Sequence, residues 1–346
     1  MTGVGQWGSP GWPAISASEM TRALDRTPLW FSCSVVPLVR RRGPETKWCG
    51  SAFFLTPWGL LATARHVVVD DLNEFPEGHD DEEFVLHWPP EEEMFVLLPK
   101  ALNADGSLDR VGVPVPRVSV YEANSDAALL LADMSKYDPP PFWEGRVFPL
   151  CTDQPVRGQR CAALGYSDMK LGEWQLEGEA LTATTTLEPR VSQGKIVEIH
   201  NRGRDRAVLP HPCFQIDTHF AGGMSGGPVV RQDGAVIGIV STGIDLADGD
   251  EHLSYGYASL IATLYTLLVP RAVDEVSPEG RFADLVNRNE IAMHGKQTVS
   301  VVGEGEELVV TWRPMPGTLQ LPNRQQAVRG EPRSRKLKHK RRRRHR

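Results

Sequence analysis

Short apolar runs separated by glycine, proline and acidic turns recur from residue 29 to residue 260. Aliphatic and β-branched residues fill 29–38, 50–55 and 59–62, and Thr56-Pro57-Trp58-Gly59 supplies the turn between the last two. Further strands are expected at 84–87, 94–98, 117–121 and 127–131. Tyr137-Asp138-Pro139-Pro140-Pro141 then interrupts the pattern, because three prolines neither continue a helix nor donate to a sheet ladder. Beyond it, strands are expected at 159–165, 176–185, 194–200, 213–217, 227–231, 235–241 and 254–259. Gln232-Asp233-Gly234 forms a hairpin turn between two of these. The run 260–268 reads as a closing helix ended by Pro270. Many short strands on either side of one linker predict two all-β halves.

The flanks read differently. Residues 1–27 form a Gly/Pro-rich extension with a short polar helix expected at 16–25. An acidic loop spans 70–93, broken only by the strand at 84–87. After residue 270 a helix is expected within 275–293, followed by a hairpin of 297–302 with 307–312 around Gly303-Glu304-Gly305. This appendage is too small to stand as a domain of its own. The expected organisation is an extension (1–27), two β halves (28–140 and 141–270), the appendage (271–332) and a tail (333–346).

Composition adds bounds. Of 346 residues, 40% are hydrophobic and 24% charged, the ordinary balance of a globular protein. No apolar run approaches the roughly 18 residues of a membrane span. The first twenty residues lack the basic start and apolar core of a secretory leader, so a cytoplasmic protein is expected. Five cysteines, an odd number without close pairing, suit a reducing compartment. Cys213 lies between His211 and His219, but the spacing fits no familiar zinc pattern, and neither a metal nor a cofactor is expected. Net charge is −6, and residues 333–346 carry ten Lys or Arg and no acid, so the preceding chain carries −16. Such a tail is expected to be disordered, with weak attraction to acidic partners, to nucleic acid or to the protein's own acidic body. It has no interleaved aromatic residues to stack on bases, which argues against sequence-specific reading.

Candidate chemistry centres on Gly223-Met224-Ser225-Gly226-Gly227-Pro228. Small neighbours let a carbonyl approach Ser225, and glycine permits backbone angles that aim successive N–H groups into one hollow, where an oxyanion can bind. A serine hydroxyl is a weak nucleophile and needs a base. Upstream, His66 ends an apolar run in Thr63-Ala64-Arg65-His66, and Asp126 opens another in Asp126-Ala127-Ala128-Leu129-Leu130. Imidazole titrates near neutrality, and a carboxylate can fix its tautomer. Each residue alone has a plainer reading: a structural histidine, a strand-end cap, a tight turn.

Together, in the order His, Asp, Ser, the three motifs resemble those of the trypsin/chymotrypsin-like serine protease family, in particular its bacterial and intracellular branch. Cys49-Gly50-Ser51-Ala52-Phe53 resembles the strand before the histidine, and Gly238-Ile239-Val240-Ser241-Thr242-Gly243 the substrate-binding strand after the serine. The resemblance covers roughly residues 28–270. It implies two six-stranded antiparallel β-barrels with the site between them, followed by a C-terminal helix. It also implies catalysis by His66, Asp126 and Ser225, with the N–H groups of Gly223 and Ser225 as the oxyanion hole. The competing G-x-S-x-G elbow of α/β-hydrolases requires a helix directly after the serine and a later histidine, whereas Gly226-Gly227-Pro228-Val229-Val230 turns into a strand.

Two departures matter. Met224 stands where secreted digestive members have the aspartate of their zymogen switch, so that switch is absent. Val67 stands where the family commonly has a cysteine, which leaves Cys49 an expected free thiol. By resemblance, His219 lies at the floor of the pocket for the residue before the cut, with Ser241, Thr242 and Gly243 on one wall and Gly256 on another strand. His219 is no carboxylate, so a preference for Lys or Arg does not carry over, although Asp245 is a possible source of charge. The expected function is a serine endopeptidase acting on proteins or peptides, with control by a partner as part of the expectation. The alternative is a non-catalytic protease-fold binding protein working through its tail and appendage.

Overall fold

In the computed structural model of the chain, the residues described are 29–69, 83–88, 92–104, 108–121, 125–143, 145–177, 180–248, 251–270, 280–294, 299–302 and 309–312. The expected helix at 16–25, most of the acidic loop and the basic tail lie outside these residues. Among the described residues, no helix is long and apolar enough to cross a membrane.

The chain enters through a short helix, α1 (Leu29–Ser34), where a strand is expected from the apolar run. Side-chain packing explains the difference. The helical turn sets Phe31 edge-on to Tyr166 at 5.6 Å and Trp30 edge-on to Phe148 at 6.0 Å, contacts that outweigh local strand preference. The first half then comprises β1 (Val35–Arg42), β2 (Glu45–Phe54), β3 (Leu60–Thr63), helix α2 (Arg65–Val69), β4 (Glu83–His87), β5 (Glu92–Leu102), β6 (Leu108–Pro114), β7 (Arg117–Tyr121) and β8 (Ala128–Leu131). They pair antiparallel in the order β6-β5-β1-β2-β3-β8-β7-β4, a curled half-barrel with Phe53, Leu60, Val118 and Leu130 wholly buried inside.

The second half comprises β9 (Arg160–Glu177), β10 (Ala180–His200), β11 (Cys213–Ile216), β12 (Pro228–Arg231), β13 (Val236–Asp248) and β14 (Glu251–Leu260). Pairing runs β9-β10-β11-β14-β13-β12 and returns to β9, closing a six-stranded barrel around Phe214, Ile237, Val240 and Leu260. A closed barrel leaves no unpaired edge. The architecture is a chymotrypsin-like double barrel in which the first half curls and the second closes.

Three features extend beyond the sequence expectations. β6 supplies a strand that the pattern does not separate from its loop. The two strands expected at 176–185 and 194–200 merge into β10, and the β9–β10 hairpin reaches far enough for Leu181–Ala183 to pair with Gly112–Arg110 of β6. The closing helix is a 3-10 turn, Ile261–Thr266. The appendage contributes α3 (Phe282–Asn287) and a hairpin of β15 (Val299–Val302) with β16 (Val309–Trp312). It is not separate: Phe282 and Leu285 join the first core, Val310 is buried in the second, and Trp312 Nε1 donates to Thr152 O at 2.8 Å.

Candidate active site

His66 and Asp126 come from the first half. β3 is wholly buried and delivers the chain to α2, whose second residue is His66. β3 pairs with β8, Thr63 opposite Ala128, which brings the segment before β8, and with it Asp126, alongside His66. His66 Nδ1 lies 3.0 Å from each carboxylate oxygen of Asp126, and its backbone N–H donates to Oδ1 at 3.0 Å. The imidazole is 33% exposed and the carboxylate 11%, so the ring opens to solvent while its partner is shielded. Ser241 Oγ also donates to Asp126 Oδ2. Burial opposes the charge on Asp126. The hydrogen bond and charge of His66, with His211 and Ser241 adding, outweigh it and hold the carboxyl well below its ordinary range.

Ser225 comes from the second half, on the loop before β12. Its Oγ donates to Ser241 O at 3.1 Å. Ser241 therefore touches both Asp126, through its hydroxyl, and Ser225, through its carbonyl. The carbonyl of Met224 accepts from Gly227 N at 3.0 Å, and in a trans peptide this aims the Ser225 N–H away from the loop's interior. Among the described residues, the N–H groups of Gly223 and Ser225 make no hydrogen bond. Gly223 sits at φ +90°, a backbone conformation that favours glycine, and a Cβ there would stand 1.7 Å from the Trp48 ring.

Ser51 fastens this loop to the first half. Its N–H donates to Ser225 O at 2.8 Å and its Oγ to Gly223 O at 2.9 Å, while Thr63 Oγ1 donates to Ser51 O at 2.7 Å. One buried serine thus links the strand leading to His66 with the loop holding Ser225. Sequence reasoning places Ser51 only in a resembling strand and Ser241 only in a pocket wall; their bridging bonds span 172 and 115 positions of chain and leave no local signature.

The two histidines flanking Cys213 part company. His211 is 5% exposed, and its charge and that of Asp126 act on each other. Burial pushes its imidazole below the ordinary range, against the pull of Asp126. Only its flanking prolines, Pro210 and Pro212, mark it in the sequence. His219 is exposed, with Nδ1 3.2 Å from Asp245 Oδ1, and Ser254 Oγ donates to the same carboxylate oxygen. Thr242 pairs with Tyr257 and Gly243 with Gly256 across β13 and β14. Met224 is wholly buried, its sulfur 3.7 Å from Ser192 Oγ. A wholly buried thioether suits this place, where an unpaired carboxylate would not. Cys49 is in no disulfide, and the Val67 side chain packs against Gly50. A separate cavity of about 740 Å³ opens between β9, β10 and β12, lined among others by Arg160, Lys195, Asp217 and Arg231, with none of His66, Asp126 and Ser225 in its lining.

A model of the trypsin-like peptidase domain matches residues 50–239. The chain belongs to the trypsin-like peptidase family. It is a serine protease, a hydrolase of proteins or peptides. No curated protein gives a significant match to this peptidase. Among solved structures, it is similar to the Rv3671c protease from M. tuberculosis in its active form, with 19% identity over 69% of this chain and 82% of that one and a TM-score of 0.38. It is also similar to Deg5, with 18% identity over 70% and 89% of the two chains and a TM-score of 0.42. A third is an HtrA-type protease with a tripeptide, with 19% identity over 70% and 60% and a TM-score of 0.38.

Proposed function

We propose that this peptidase is an endopeptidase in which Ser225 is the nucleophile, His66 the general base and then acid, and Asp126 the carboxylate that orients His66. The observation that carries this reading is the 3.0 Å approach of His66 Nδ1 to Asp126, with Ser241 bonded to both Asp126 and Ser225. Asp126 stays ionised at neutral pH and accepts the Nδ1 proton, which leaves Nε2 as the basic nitrogen. For attack, the Ser225 hydroxyl leaves Ser241 O and gives its proton to Nε2 as Oγ bonds to the substrate carbonyl carbon. The N–H groups of Gly223 and Ser225 receive the negative charge on the former carbonyl oxygen. His66 then protonates the leaving amine, and water, deprotonated by the same nitrogen, hydrolyses the acyl-enzyme. The mechanism is the family's, carried to these residues by their matching motifs and geometry.

Five cysteines outside any disulfide support the reading of a reducing compartment as the place of work. The test is covalent labelling of the full chain by an alkyl fluorophosphonate. Wild type is expected to label at one site, Ser225 in a peptide map, and Ser225→Ala to lose it. Absence of labelling on folded wild type would reject the nucleophile and favour a binding protein built on a protease fold.

A further inference from the structure

The chain just past Val240 runs beside the nucleophile: Gly226 N donates to Val240 O at 2.8 Å, and Ser225 Oγ to Ser241 O at 3.1 Å. Two residues further along β13, Gly243 pairs with Gly256 of β14. Two facing glycines remove two side chains from one spot of a sheet and leave a slot where another group approaches closely. That group is Phe220, five residues before Ser225. A Cβ on Gly256 would stand 2.5 Å from Phe220 Cζ and 2.6 Å from both of its Cε atoms. A Cβ on Gly243 would stand 3.0 Å from Phe220 O and 3.6 Å from its Cβ. The ring is 5% exposed and belongs to the second core with Ile216, Met224, Val240 and Ala258, so packing on several sides holds it in place. The neighbouring His219 turns outward to Asp245, and that exposed carboxylate also accepts from Ser254.

We propose that Phe220 determines which substrate side chain is accepted immediately before the cut, by filling the slot between Gly243 and Gly256. This rests on the reading of Ser225 as the nucleophile. With the ring in place, glycine, alanine or serine fits, while a leucine, phenylalanine or lysine side chain meets the ring and must displace core packing. Lysine carries a second penalty: its ammonium would lie against an aromatic ring and apolar core, while the Asp245 carboxylate stands out on the surface beside His219.

The experiment compares peptidyl phosphonate esters that differ only in the side chain mimicking that position (alanine, leucine, phenylalanine, lysine), alongside the alkyl fluorophosphonate, which has no such side chain. Wild type is expected to react with the alanine probe at least about tenfold faster than with the phenylalanine or lysine probe. Phe220→Ala is expected to raise the phenylalanine-to-alanine rate ratio by about tenfold or more, and Phe220→Val to raise it by less. A wild type that prefers phenylalanine or lysine, or a ratio unchanged in Phe220→Ala, overturns the proposal while leaving Ser225 labelled by the fluorophosphonate. Failure of that simple probe instead removes the nucleophile reading, and this proposal with it. Should the variants fail to fold, the wild-type preference among the four probes decides alone.

Discussion

Replacing Gly223 by alanine tests the loop of the proposed nucleophile where its backbone and its packing are both constrained. At φ +90° a side chain is strained, a cost of about 1–3 kcal/mol. The added Cβ would also stand 1.7 Å from Trp48 Cη2 and 2.1 Å from Cζ2. Trp48 has little room to retreat, because its Nε1 donates to Gly50 O at 2.9 Å and its ring packs on the first core, so overpacking adds about 1–3 kcal/mol. Taking the lower ends gives a destabilisation of about 2 kcal/mol, read as a shifted midpoint in urea denaturation. Rotation of the Gly223 N–H away from the proposed oxyanion position should also slow fluorophosphonate labelling by roughly 100-fold or more. Combining Gly223→Ala with Trp48→Ala relieves the clash but not the dihedral strain, so the double-mutant cycle should show a coupling of about 1–2 kcal/mol. If Gly223→Ala unfolds within about 0.5 kcal/mol of wild type, the loop does not hold this conformation against Trp48, and the assignment of its N–H groups loses its basis.

Two further outcomes follow from the packing and the charges. The depressed pKa of Asp126 contributes stability that is fully present above the ordinary carboxylate value of about 4 and is lost as pH falls toward the folded value. The stability advantage of wild type over Asp126→Asn should therefore shrink between pH 5 and pH 3 (both roughly set by that value) in denaturant titrations; a constant difference would show that the carboxylate's charge is not what stabilises the fold. Val310→Ala in the hairpin should lower the stability of the whole peptidase by roughly 2 kcal/mol in one cooperative thermal transition, because Val310 is wholly buried against the second barrel. A separate low-temperature transition would mean that the hairpin folds independently.

The sequence by itself determined the class of fold and the identity of the candidate chemical groups. Short apolar runs bounded by turn residues report strands because a strand covered on both faces buries consecutive side chains, as β3 does, and Asp126, His66 and Ser225 each lie beside a strand or turn that local composition marks. These runs did not determine that the stretch 29–34 coils, since Phe31 and Trp30 take their conformation from Tyr166 and Phe148, more than a hundred residues away. Nor did they show that the appendage completes the two cores, because a Val310 contact with the barrel has no local period. Only the tertiary structure decided that Ser51 and Ser241 tie the site together and that His211 stands by Asp126 while His219 faces solvent. It also decided that the ring between Gly243 and Gly256 is Phe220. A motif records which groups are available; which of them meet, and which fill the space beside Ser225, depends on pairings between strands far apart in the chain.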